Sequence, residues 1–159
     1  MTEGFIHDNK SHEYFMAFAI EEAYKAASIN EVPIGAVVVK DSQIIAAAHN
    51  RREIDRDPLA HAEILAIKQA SEYLNSWRLL DCTLYVTLEP CPMCAGAIIQ
   101  SRIPTLVYGT ADPKAGCVGS LMNLLDDTRF NHQPQIITNV LQEECSRMLK
   151  DFFRALRQK

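Results

Sequence analysis

Two short stretches constrain this chain more than anything else in it: His61-Ala62-Glu63, and further on Pro90-Cys91-Pro92-Met93-Cys94. One imidazole and two thiols, the thiols separated by two residues, are donors suited to a tetrahedral zinc ion. Three protein ligands leave a fourth position open, and water in that position separates a catalytic zinc from a structural one. Glu63, next to the ligand histidine, is the candidate to move that water's proton. Residues at i and i+2 do not share a helical face, so both can serve one ion only if His61 binds it directly and Glu63 approaches from the side. A structural zinc would need a fourth protein ligand, and Cys82, Cys117 and His49 have no metal-site spacing to the other three. Any fold available to this chain must therefore bring residue 61 against residues 91 and 94.

The hydrophobic periods supply the elements that could do so. From Ser11 to about Ser28, Met16, Ala19, Ile20, Ala23 and Ala27 recur at helical spacing. Val32 to Val39 is β-branched and apolar on both faces, as in a strand covered on both sides. A turn at Asp41-Ser42 returns it through a second strand, Ile44 to Ala48. Asn50 to Asp57 is a charged loop, and Asp57-Pro58 carries the signature of a helix start, an N-cap acceptor followed by proline at the first position. Thr83 to Leu88 alternates as a third strand, and Pro90 to Pro92 ends it and opens another helix. Both metal-bearing segments thus fall at helix N-termini, whose positive dipole ends favour thiolate over thiol. Thr105 to Gly109 is a fourth strand, Ala111 to Ser120 a loop, Leu121 to Leu125 a short helical piece that would permit a parallel crossover, and Gln135 to Thr138 a weak fifth strand. Trp77 reads as core.

The last helix, about Val140 to Arg157, has one apolar stripe of Leu141, Cys145, Met148, Leu149, Phe152 and Leu156. Arg147, Lys150, Arg154 and Arg157 lie on the opposite side with Phe153 at the border. Such a face is ordinarily just solvated; edged by an aromatic, it could also hold phosphates and stack a base.

Composition excludes several classes. No apolar run approaches the roughly 20 residues of a membrane span, and the N-terminus has no apolar core of a signal peptide, so the chain reads as cytoplasmic with no membrane partner. Five cysteines, an odd number with two of them in the metal motif, leave Cys82, Cys117 and Cys145 as buried thiols rather than a disulfide framework. A net charge of −4 argues against coating nucleic acid through a bulk positive field, but a local basic surface can still dock one folded RNA. No repeat or linker is visible, so residues 1–159 read as a single domain.

The H-x-E and P-C-x-x-C pair is the signature of zinc deaminases. With EVPIGAVVV, HNR, DPLAHAEILAI, LYVTLEPCPMCAGAI, YGTADPKAG, GSLMNLL and the closing DFFR beside it, the chain resembles the bacterial tRNA-specific adenosine deaminases of the cytidine-deaminase-like superfamily. The resemblance implies a three-layer α/β/α fold around a central five-stranded mixed sheet, a homodimer, and one Zn2+ per subunit. It also implies hydrolysis of the wobble adenosine of a tRNA anticodon, from an arginine tRNA, to inosine, with no DNA partner in the native role. His61, Cys91 and Cys94 match the zinc ligands, Glu63 the proton shuttle, and the backbone after Leu88 a donor to the reacting oxygen. Asn50 matches a residue that binds the flipped base, Asp112 and Lys114 a loop that contacts anticodon nucleotides, and Phe153 and Arg154 C-terminal RNA contacts. Arg51 and Arg52 are further candidates for phosphate contacts. One alternative is a deaminase of a free base or nucleoside, of guanine or cytosine type, which shares every catalytic residue. A pocket closed by the chain's own C-terminus would favour it, and an open groove reaching the metal would favour RNA. The other alternative is a non-catalytic RNA-binding subunit that keeps zinc for structure, which could dispense with Glu63.

Overall fold

The structure, a computed structural model, describes residues 3–158, with side chains described from residue 12 onward, so that the expected domain of residues 1–159 reaches just past it at both ends. In order the elements are α1 (Glu3–Ser28), β1 (Gly35–Lys40), β2 (Gln43–His49), α2 (Ala62–Leu74), β3 (Cys82–Leu88), α3 (Pro92–Ser101), β4 (Thr105–Thr110), β5 (Gln135–Ile137) and α4 (Gln142–Arg157). A 3-10 turn, Leu124–Asp126, lies between β4 and β5.

The strands form one mixed five-stranded sheet in the order β2-β1-β3-β4-β5. β1 is antiparallel to both β2 and β3, whereas β3, β4 and β5 are parallel. Because side chains alternate along a strand, the central strands feed two cores. Ala36, Val38, Leu84, Val86, Leu106 and Tyr108 pack with α2 and α3 on one face. Val37, Val39, Tyr85 and Val107 pack with Phe15, Met16, Ala19 and Ala23 of α1 and with Cys145 and Met148 of α4 on the other. The expected three-layer α/β/α arrangement is the one observed. Cys82, Cys117 and Cys145 are buried free thiols, also as expected. Among the described residues no helix is long and apolar enough to cross a membrane.

α1 lies so close on the start of β1 that a Cβ at Gly35 would collide with the backbone of Ala19 and Ala23. Gly35→Ala must push helix and strand apart, and overpacking of this kind costs about 1–3 kcal/mol. The expected result is a lower denaturant midpoint at unchanged slope; an unchanged midpoint would show that this seam is soft.

Four expectations are corrected. α2 begins at Ala62, not Pro58, with His61 as its N-cap. The Asp57 side chain accepts from the Leu59 N–H at 2.9 Å, so the acceptor that looked like a helix cap closes a local turn instead. The short helical piece between β4 and β5 is the 3-10 turn, set at Leu124–Asp126 rather than Leu121 to Leu125, and the crossover is parallel as expected. Trp77 is 55% exposed, with the Arg78 guanidinium stacked 4.3 Å from its ring centre, and is not core. α4 starts two residues late, because Leu141 is in the left-handed region at φ 52°, and its apolar stripe is covered only in its first half: Leu156 is 54% exposed.

Candidate active site

β3 ends at Leu88, and the chain turns through Pro90 into α3, whose N-cap is Cys91 and whose first residue is Pro92. Proline suits that position, where the N–H would have no helical partner. Cys91 and His61 are both N-caps with extended backbone, and neither side chain caps its own helix, which leaves sulfur and imidazole free to face each other. Cys94, one turn into α3, is fully buried. The site therefore lies at the carboxyl end of the parallel strands, between two helix N-termini, where open α/β sheets build their binding crevices.

His61 Nδ1 lies 3.5 Å from the Cys91 sulfur and 3.6 Å from that of Cys94. A tetrahedral zinc with Zn–S of about 2.3 Å and Zn–N of about 2.0–2.1 Å sets its sulfur and nitrogen ligands about 3.6 Å apart. The donor set and spacing fit that ion. The nitrogen turned toward both sulfurs is Nδ1, which the sequence could not specify. This triad is the one cluster of potential metal ligands found among the described residues.

The electrostatics follow from burial and mutual contact. The Cys91 thiol is drawn down to about 4, chiefly by its hydrogen bond with Cys94, while the same bond and burial push Cys94 upward. The hydrogen bond to Cys91 raises His61. Glu63 is 4% exposed in the first turn of α2, and burial pushes its carboxyl up to about 7.

Above the triad opens a cavity of about 820 Å³. His61, Glu63, Cys91, Asn50, Asp112, Lys114, Phe153 and Arg154 all line it, so loop, strand-end and C-terminal residues more than a hundred positions apart converge on one site. A scan against protein families matches residues 10–157 to the MafB19-like deaminases. The tRNA-specific adenosine deaminase of Bacillus subtilis is 56% identical over 147 residues, covering 92% of this chain and 91% of that one. The chain belongs to the tRNA-specific adenosine deaminase family. A solved tRNA:A34 deaminase, described for A-to-I editing at the wobble position of transfer RNA, superposes with a TM-score of 0.83 at 43% identity, covering 86% of this chain and 99% of that one. The guanine deaminase of Nitrosomonas europaea shares the fold more distantly, with a TM-score of 0.74 at 26% identity over 88% of this chain and 83% of that one.

Within this family member the remaining expected residues are placed unevenly. Asn50 is 6% exposed; its amide nitrogen donates to the Val32 carbonyl at 3.3 Å and its oxygen accepts from the Arg52 N–H at 3.1 Å. An amide has two N–H groups and two lone pairs, so one donor and one acceptor are left to read a base. Asp112 Oδ1 caps its own turn, accepting from the Lys114 and Ala115 N–H groups, and the second oxygen remains. Arg52 lines the cavity, whereas Arg51 is held by Asp55 at 3.0 Å and does not. The predicted basic face of α4 divides: Lys150, Arg154 and Arg157 reach the cavity and Arg147 does not. The Glu89 N–H donates to the Thr110 carbonyl at 2.9 Å.

Two buried carboxylates were not singled out by sequence reasoning. Glu31, 1% exposed, accepts from the Glu53 and Ile54 N–H groups and ties down the loop that carries Asn50 and Arg52. Glu89 does the same for the loop that carries Asp112. Burial alone would raise its pKa, but hydrogen bonds from Ser120, Asp112 and Val118 bring it below the usual carboxylate value.

Proposed function

We propose that this chain deaminates the wobble adenosine of a tRNA anticodon to inosine, acting as one domain with His61, Cys91 and Cys94 holding one Zn2+ per subunit. The observation that carries the reading is the meeting, in one cavity, of His61 and Cys91 from the ligand triad, the buried Glu63, and five exposed cations from three segments: Arg52, Lys114, Lys150, Arg154 and Arg157. Zinc, when bound there, supplies a water acidic enough to yield hydroxide at neutral pH. Glu63 takes the proton from that water. It gives that proton to the ring nitrogen beside C6 as the water's oxygen bonds to C6, then takes the second proton from that oxygen and gives it to the amine as the C6–N bond breaks, so adenosine and water give inosine and ammonia. Asn50 holds the purine edge.

At the cavity's rim the cations serve the RNA backbone. Phe153, 40% exposed on α4, offers a stacking face for a neighbouring base, and the lysines and arginines lie where phosphates would pass. The cavity stands near the top of the roughly 300–1,000 Å³ range that encloses drug-sized ligands, more room than one free base needs. α4 forms one wall without sealing it, since Phe153, Arg154 and Arg157 stay exposed at the rim. These features favour RNA over a free base or nucleoside. The protein works as a homodimer, as its resemblance to the family implies, and acts on an arginine tRNA in the cytoplasm.

The acidic net charge makes the salt dependence a sharp test. If about four rim cations each meet a phosphate, the slope of log affinity against log salt is near −3, so raising salt fourfold weakens anticodon stem-loop binding about fiftyfold. Arg154→Ala with Arg157→Ala should flatten that slope by about 1.4. A salt-independent affinity would remove the electrostatic account of RNA capture.

A further inference from the structure

Glu89 stands two residues before the Cys91 ligand and is 2% exposed. The loop from Ala111 to Ser120 wraps around its carboxylate. Oε1 accepts from the Asp112 N–H at 3.0 Å and from the Ser120 hydroxyl; Oε2 accepts from the N–H groups of Val118 and Ser120, each at 3.0 Å. Gly116 faces the same group so closely that a Cβ there would overlap the carboxylate carbon and both oxygens. Main-chain bonds close the clasp on either side, from Glu89 N–H to the Thr110 carbonyl and from Cys117 N–H to the Pro90 carbonyl, both at 2.9 Å.

Converging backbone N–H groups form the kind of concave site that ordinarily captures a phosphate or another anion. Here the chain's own carboxylate fills it. We propose that Glu89 is a positioning residue that latches the Asp112–Lys114 loop to the metal-ligand turn, so that the loop lining the cavity keeps a fixed register against Cys91. The inference rests on the RNA reading above for its functional consequence, though the latch itself does not. The loop contains no helix and no strand; Cys117 and Val118 anchor its far end in the core, and the Glu89 carboxylate reaches across to its Asp112 end. Glutamine is a poor substitute, because its amide nitrogen cannot accept and would face two donors on one side. Alanine at position 116 should act from the opposite side by displacing the carboxylate.

The residues assigned to chemistry sit on helix N-termini held by the sheet, whereas the loop reaches only what enters the cavity. Glu89→Gln is therefore expected to raise KM for an anticodon stem-loop about tenfold with kcat within about threefold of the parent, the pattern of lost binding rather than lost transition-state stabilisation. Zinc content should stay at the parent's. Amide exchange at Asp112, Val118 and Ser120 should accelerate, a readout that needs no RNA. Gly116→Ala should reproduce these effects and fail to add to them in the double variant, as expected of two changes to one contact. Ser120→Ala, which removes a single donor, should shift KM in the same direction by less.

Parental exchange rates at the three amides in Glu89→Gln would overturn the latch. Faster exchange with unchanged KM would overturn the positioning role, as would equal losses in kcat and zinc. If Glu89→Gln does not fold, Ser120→Ala decides, and an unchanged KM there sinks the proposal. If the parent itself fails to deaminate the stem-loop, the proposed function falls while the exchange rates still judge the latch.

Discussion

Glu63→Gln is expected to lower turnover about a thousandfold while leaving zinc content and fold intact; positioned proton transfer commonly contributes about 10²- to 10⁴-fold. The substitution keeps size and shape in a buried position, so the α2 helix start should survive it. What it removes is the capacity to accept and return a proton at the first turn of α2, beside the ligand thiols. Single-turnover inosine formation, read together with metal content, separates the possible causes. Parental turnover would take Glu63 out of the proton path, and lost zinc would make it a support for the metal site instead.

Cys94→Ala should have an effect as large by a different route. Outer-shell partners of metal ligands are worth about 10- to 100-fold in affinity or activity. A direct ligand, fully buried and part of a donor set spaced for a tetrahedral ion, must cost more than that. Zinc affinity should fall by well over a hundredfold and turnover should vanish with it. Acid should act in the same direction on the unaltered protein. The metal needs a neutral imidazole and thiolates, so protons compete with it for His61, Cys91 and Cys94 as pH falls. Metal content after dialysis across a pH series checks this, and full retention of zinc by Cys94→Ala would place the ion elsewhere.

The sequence exposed the chemistry because the ligand types and their spacing are fixed by the ion, which no neighbouring structure can override. It exposed the central strands because a run such as Val37-Val38-Val39, apolar on both faces, suits a strand covered on both sides. Its failures share a physical cause, namely side chains whose partners are not revealed by residue type and spacing. Asp57 looked like a helix cap, but its oxygen was taken by the Leu59 N–H. Trp77 looked like core from its type alone, yet Arg78 covers its face at the surface. Glu89 and Glu31 gave no signal, since a carboxylate ringed by main-chain N–H groups has no complementary residue pattern to detect. The basic face of α4 was legible from its period, but which of its members reach the cavity depends on how the helix is seated on β4, and Arg147 falls outside.

The measurement closest to the central claim is incubation of the zinc-loaded protein with an arginine tRNA anticodon stem-loop bearing adenosine at the wobble position, beside free adenosine, cytidine and guanine. Inosine should appear at the wobble position of the RNA, with little or no turnover of the free compounds. Turnover of a free base or nucleoside with none on the RNA would contradict the account and return the site to a small-substrate deaminase.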